Sequence, residues 1–76
     1  MNTDRTMEML KEMIRDNFHS LRAFEKEDDA RMMQFIVYEK LSPLIELLGK
    51  CIGTRLIIDW TDKGYRLMTF DQLMAR

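Results

Sequence analysis

The only cysteine and the only histidine of the chain, Cys51 and His19, are the one pair that could form a thiol nucleophile. A reactive thiolate needs an electropositive and partly exposed setting. Cys51 instead falls on the apolar side of a predicted helix, and His19 falls on the polar side of another. One residue of each kind also excludes an internal disulfide and a site of clustered histidine and cysteine ligands. We therefore expect Cys51 to be a packed structural residue.

Two aspartates, Asp59 and Asp62, are close enough in sequence to be considered as paired carboxylates for acid–base catalysis or metal binding. Asp62 opens a predicted turn, where an aspartate side chain usually bonds the backbone. No third oxygen ligand follows at an informative spacing, and the glycines match neither the P-loop nor the GxGxxG pattern. The sequence therefore predicts a protein that is not an enzyme and that has no metal and no cofactor.

One face of the first predicted helix carries a basic stripe. Its four members lie within roughly 60° of one another on a helical wheel: Lys11, Arg15, Arg22 and Lys26. Cations aligned in this way can contact an acidic protein or a phosphate backbone. Acidic residues at three- and four-residue offsets offer the alternative of a solvated face with intrahelical ion pairs. These neighbours are Glu8, Glu12 and Asp16.

Two amphipathic helices fill the first two thirds of the chain. Apolar residues at 3–4 spacing predict the first helix over Asp4 to Lys26. A short acidic break follows, in which Asp28 or Asp29 can cap the next helix. Such a short connection makes the second helix, Ala30 to Ile52, antiparallel to the first. Ser42-Pro43 kinks or breaks the second helix, because proline lacks an N–H and clashes with the preceding turn.

A β-hairpin and a short helix complete the predicted fold. Arg55 to Thr61 alternates as a half-buried strand, Asp62 to Gly64 forms a turn, and Tyr65 to Met68 returns as the second strand. Thr69 and Gln72 have the spacing of a capping box, which predicts a short C-terminal helix. The fold class is thus α+β in a single domain 1–76: an antiparallel helical hairpin, a two-stranded antiparallel β-hairpin and a short C-terminal helix.

The second helix is too apolar for the rest of the chain to cover. On a regular wheel its apolar residues span about half of the circumference, against the ~100° stripe of an ordinary surface helix. The wheel places Leu47 inside this arc and Ile45 at its polar edge. For Trp60 two roles are open, either in a partner interface or in packing the hairpin onto the second helix. The residues predicted to form a partner interface are Phe35, Tyr38, Ile45, Trp60 and Tyr65.

Size and composition point to self-association. A chain of 76 residues buries too little surface for high stability, and a two-stranded sheet is barely stable alone. The hairpin must therefore lie on the helices or extend across a dimer into a larger sheet. Eight methionines give weak support for an adaptable contact surface.

We expect a small protein-binding regulator, adaptor or inhibitor of a bacterial or phage kind, which acts as a homodimer and also binds another protein. The alternative is a nucleic-acid-associated protein that uses the basic stripe. Twelve basic residues against thirteen acidic ones argue against strong non-specific binding to nucleic acids or membranes. The longest apolar run, Phe35 to Tyr38, is too short to span a membrane. The unpaired cysteine fits a cytoplasmic location.

Overall fold

A computed structural model describes residues 3–61 and 64–69 together with Gln72 and Met74, and only the backbone of Thr3, Trp60 and Thr61. The architecture is α+β, with two helices, the second long and bent, followed by a two-stranded antiparallel sheet. The predicted fold class is confirmed at this level. No described helix is both long enough and apolar enough to cross a membrane.

Helix α1 spans Thr3–Lys26 and buries one stripe of leucine and isoleucine side chains. Leu10, Ile14 and Leu21 recur at intervals of four and seven residues, so they share one face and are buried there. The chain leaves α1 through Asp28, which has a φ of 56°. Asp29 then caps the next helix, because its carboxylate accepts a hydrogen bond of 3.1 Å from the Met32 N–H.

The second helix bends at Pro43 without a break. It consists of α2, Ala30–Phe35, a π-helical segment, Ile36–Leu41, and α3, Ser42–Ile52. The Ser42 N–H bonds the Val37 carbonyl, and the Ser42 hydroxyl donates to the same oxygen at 2.9 Å. The wider π turn directly before Pro43 accommodates a residue that has no N–H to offer the preceding turn.

The π-helical segment rotates the buried face of the second helix. One extra residue in a helical turn shifts all later residues by about 100° relative to a regular wheel. Ile45, placed by the regular wheel at the polar edge, is only 7% exposed, whereas Leu47, placed inside the apolar arc, is 49% exposed. That wheel placement is therefore wrong for both residues, because the wheel assumed an uninterrupted α-helix.

One hydrophobic core joins α1 to the second helix and to the sheet. Its buried members are Leu10, Ile14, Leu21, Ile36, Leu41, Ile45 and Leu48. Helix α1 contacts all three parts of the second helix, and α3 also contacts the first strand. Gly53 ends α3 in a left-handed conformation, with a φ of 75°, and turns the chain toward the sheet.

Strand β1, Leu56–Thr61, pairs with β2, Gly64–Thr69, in the predicted antiparallel hairpin. Leu56, Ile58 and Leu67 pack against the core cluster from one face of the sheet. On the other face, Asp59 lies opposite Arg66, and their side chains form an ion pair of 2.7 Å. The predicted turn residues Asp62 and Lys63 lie outside the described residues.

The capping box at the end of β2 forms as predicted. The Thr69 N–H donates to Gln72 Oε1 at 2.9 Å, and the Gln72 N–H donates to Thr69 Oγ1 at 3.1 Å. These reciprocal bonds satisfy two donors at the start of a helix. Most residues of the predicted C-terminal helix lie outside the described part of the chain, so that helix stays a prediction.

Candidate protein-binding surfaces

The π-helical segment and the end of α2 expose two aromatic side chains. Phe35 is 45% exposed and Tyr38 is 69% exposed. The Lys40 ammonium lies 5.6 Å from the centroid of the Phe35 ring, which is a cation–π distance. Tyr38 borders a shallow cavity of about 240 Å³ that is also lined by Met33 and Val37. We call this region, from Ala30 to Lys40, the aromatic surface.

The other three predicted interface residues have different surroundings. Ile45 belongs to the hydrophobic core, so its side chain is not available to a partner in this structure. The side chain of Trp60 lies outside the described residues. Tyr65 is half-buried, and its ring lies 6.0 Å from that of Phe18 at an interplanar angle of 30°. Tyr65 is thus a contact between the hairpin and α1.

A polar contact holds Tyr65 on α1 as well. The Tyr65 hydroxyl donates a hydrogen bond to the Glu25 carboxylate, and an Arg22 N–H lies 3.4 Å from each Glu25 oxygen. Burial, followed by the hydrogen bond to Glu25 and its negative charge, raises the pKa of Tyr65 to about 12. The hydroxyl is protonated at neutral pH, and its hydrogen bond to Glu25 holds β2 against α1.

The basic stripe is partly neutralised by its own helix. Lys11 Nζ lies 3.4 Å from Glu8, and Arg22 pairs with Glu25 at the same distance. Lys11, Arg15 and Lys26 are exposed. Lys11 and Arg15 border an open cavity of about 480 Å³ between α1, the end of α3 and the sheet. Exposed ion pairs of this kind are weak. The paired cations can therefore still contact a partner.

A larger groove runs beside β1. It has a volume of about 720 Å³, and its helical wall includes Val37, Ile45 and Gly49. Its other wall is formed by consecutive residues 54–58, from both faces of the strand, and no β2 residue lines it. Among the described residues, the groove therefore lies between the second helix and the start of β1. Within the described residues the sheet has only two strands, so β2 is the sole strand paired with β1.

The residues considered for catalysis have different surroundings. Cys51 is half-buried against the core and His19 is exposed on α1. Asp59 is buried and forms an ion pair with the exposed Arg66, and Asp62 lies outside the described residues. Within the described part of the chain, no group of three or more histidine, cysteine, aspartate or glutamate side chains is placed to hold a metal ion.

Neither the groove beside β1 nor the exposure of Leu47 follows from the sequence pattern. Both depend on the bend, because the rotated α3 turns Ile45 and Gly49 toward the sheet and Leu47 away from the core. Ser42-Pro43 was the available signal, since a helix commonly accommodates proline by widening the preceding turn.

Comparisons with protein families, with characterised proteins and with solved structures give no match to this chain. The geometry described above is therefore the basis for a functional proposal.

Proposed function

We propose that this chain is a small protein-binding regulator, adaptor or inhibitor that docks onto its target through the aromatic surface and acts as a homodimer. The observation that supports the proposal is the pair Phe35 and Tyr38, which expose large aromatic rings on neighbouring turns. Aromatic side chains are enriched at the energetic centres of protein interfaces. Neighbouring exposed apolar side chains of this kind can mark a protein-binding site.

Three finer features belong to the same proposal. The first is the antiparallel arrangement of α1 and the second helix, supported by the short connection through Asp28 and Asp29. The second is the short C-terminal helix, supported by the capping box of Thr69 and Gln72. The third is a cytoplasmic location, supported by the free thiol of Cys51.

The test is a comparison of the wild-type chain with a Phe35→Ser/Tyr38→Ser variant as bait in a native host extract. We expect at least one protein to be enriched by the wild type and lost with the variant, and to bind again when both components are purified. A matched bait, Met9→Ser/Met13→Ser, removes two exposed apolar side chains from α1 and should retain that protein. Identical captures by all three baits would contradict the proposal.

Nucleic-acid association is the second candidate. It is supported by the exposure of Lys11, Arg15 and Lys26 along one side of α1. Binding through phosphates weakens steeply as salt rises. An electrophoretic mobility assay at low salt should show a shift with mixed DNA or RNA, reversed in a Lys11→Gln/Arg15→Gln variant. An absence of any shift at tens of micromolar protein would remove this candidate.

A further inference from the structure

We propose that the cavity between α1, the end of α3 and the sheet binds a single-chain carboxylate, with the hydrocarbon chain inside the cavity and the carboxylate group on Lys11 and Arg15. We call this cavity, of about 480 Å³, the α1–sheet cavity. Its volume is typical of small-molecule sites, which are mostly apolar and carry a few polar groups. The inference adds a ligand to the proposed protein-binding function and uses residues outside the aromatic surface.

The hydrophobic core forms the floor of the α1–sheet cavity. Ile14 of α1 and Leu48 of α3 line the cavity and belong to the core cluster, with exposed fractions of 2% and 3%. The sheet contributes Leu56 and Leu67, which are half-buried apolar walls. A hydrocarbon chain in this position would exchange water for apolar contacts, which favours binding in proportion to the area buried.

The end of α3 leaves an apolar side chain beside the same cavity. Ile52 lines the cavity and is 41% exposed, although it is the last residue of a helix that packs on the core. Met7 of α1 is half-buried and also lines the cavity. A bound chain would cover apolar surface that these two side chains leave in contact with water.

Two cations border the α1–sheet cavity on the side of α1. Lys11 and Arg15 are four residues apart, so they project from the same face of the helix about one turn apart. Both are exposed, and within the described part of the chain Arg15 forms no ion pair. The 3.4 Å pair of Lys11 with Glu8 is exposed and therefore weak. A carboxylate between the two cations would accept charge-assisted hydrogen bonds, which Arg15 can donate in pairs.

The hydrogen-bonding groups of the lining favour a carboxylate over a peptide or a nucleic acid. Lysine and arginine side chains only donate, and the Tyr65 hydroxyl is already bonded to Glu25 and Arg22. A peptide in the cavity would bring backbone N–H groups that need acceptors. A nucleic acid would use the two cations and leave the apolar floor uncovered. An alkyl carboxylate has no donor to satisfy and matches both the charge and the apolar lining.

Titration of the purified chain with three soluble probes, followed by NMR of the methyl groups, tests the site. Decanoate has the chain and the carboxylate, hexanoate has a shorter chain, and decyltrimethylammonium has the long chain with the opposite charge. We expect decanoate, below its critical micelle concentration, to saturate one site and to shift the methyl signals of Ile14, Leu48 and Ile52. Its dissociation constant should be at least about tenfold lower than those of the other two probes.

Two substitutions at exposed positions separate the charge from the apolar surface. Arg15→Gln should raise the decanoate dissociation constant about tenfold, whereas Arg31→Gln, an equal loss of charge at an exposed position of α2, should change it less than about twofold. Ile52→Ser should raise the constant about fivefold. Its control is Leu47→Ser, which changes an exposed side chain of the same helix that does not line the cavity and should have no effect.

Several results would overturn the site. One is the absence of saturable decanoate binding, and another is a set of signal changes centred on Phe35 and Tyr38. Equal binding of decanoate and decyltrimethylammonium would show that the cations are not used, and equal binding of decanoate and hexanoate would show that the cavity is not. Equal effects of Arg15→Gln and Arg31→Gln would also contradict the inference. The Phe35→Ser/Tyr38→Ser variant should bind decanoate as wild type does, so the ligand site and the aromatic surface succeed or fail separately.

Discussion

The two strands of the hairpin differ in their contacts with the rest of the chain. On the side of β2, which we call the anchored side, Tyr65 packs on Phe18 and bonds Glu25, so the sheet is fastened to α1. On the side of β1, which we call the open side, the strand borders a groove of about 720 Å³. The anchored side is held by a ring contact and a hydrogen bond to α1, whereas the described residues of the open side leave a groove between β1 and α3.

The largest effect should come from the core that supports the anchored side. Leu21 is fully buried on α1, so Leu21→Ala should lower the free energy of unfolding by about 3 kcal/mol, measured by urea denaturation. Met13→Ala, on the exposed part of the same helix, should cost less than about 1 kcal/mol. Equal losses from the two variants would mean that α1 is not packed as described.

The next effect should appear where β1 approaches α3. A Cβ at Gly49 would lie 2.7 Å from the Thr54 carbonyl oxygen, so Gly49→Ala forces the backbone of this junction apart. We expect a net loss of about 1.5 kcal/mol in urea denaturation, because the overpacking exceeds the gain in helix propensity. Gly53→Asn has open space and a residue type that tolerates the left-handed conformation, so it should cost only about 0.5 kcal/mol. A stabilised Gly49→Ala variant would contradict the close approach of β1.

A smaller effect, with a pH signature, should mark the Tyr65 contact. Tyr65→Phe should lower the free energy of unfolding by about 1 kcal/mol at neutral pH, through loss of the hydrogen bond to Glu25. Because the Tyr65 pKa is about 12 in the folded chain against 10.0 ordinarily, its contribution is complete below pH 10 and is lost as the pH rises toward 12. Denaturation between pH 9 and 12 should therefore be less pH-dependent for Tyr65→Phe than for wild type. Parallel curves would show that the hydroxyl is not held by Glu25.

The smallest effect on stability should come from the aromatic surface. Phe35→Ser/Tyr38→Ser removes rings that are largely exposed, so the free energy of unfolding should change by about 0.5 kcal/mol or less. The thermal transition should overlay that of wild type, while capture of a partner is lost. A strongly destabilised variant would show that these two rings stabilise the fold, which would contradict their role as a binding surface.

Local patterns were sufficient to predict most of the elements. The 3–4 spacing of α1, the cap at Asp29 and the alternation of β1 each depend on neighbours in sequence, and each is present in the structure. The capping box of Thr69 and Gln72 is equally local.

The orientation of α3 could not be predicted in the same way. The residue added by the π-helical segment changes which side of α3 meets the core. A regular helical wheel assumes a constant rotation per residue and does not include this change. Ile45 was therefore assigned to a partner interface although it packs inside the chain, and the groove beside β1 was not foreseen. The contact between Tyr65 and Glu25 spans forty residues and leaves no pattern in the sequence, so it could not be predicted.

The proposed homodimer gives the account its most direct test. Static light scattering of the wild-type chain at micromolar concentration should give a mass near twice the 9.2 kDa of one chain. Dilution should lower this mass as the dimer dissociates. A soluble wild-type chain that remains at 9.2 kDa throughout the micromolar range would contradict the proposed homodimer.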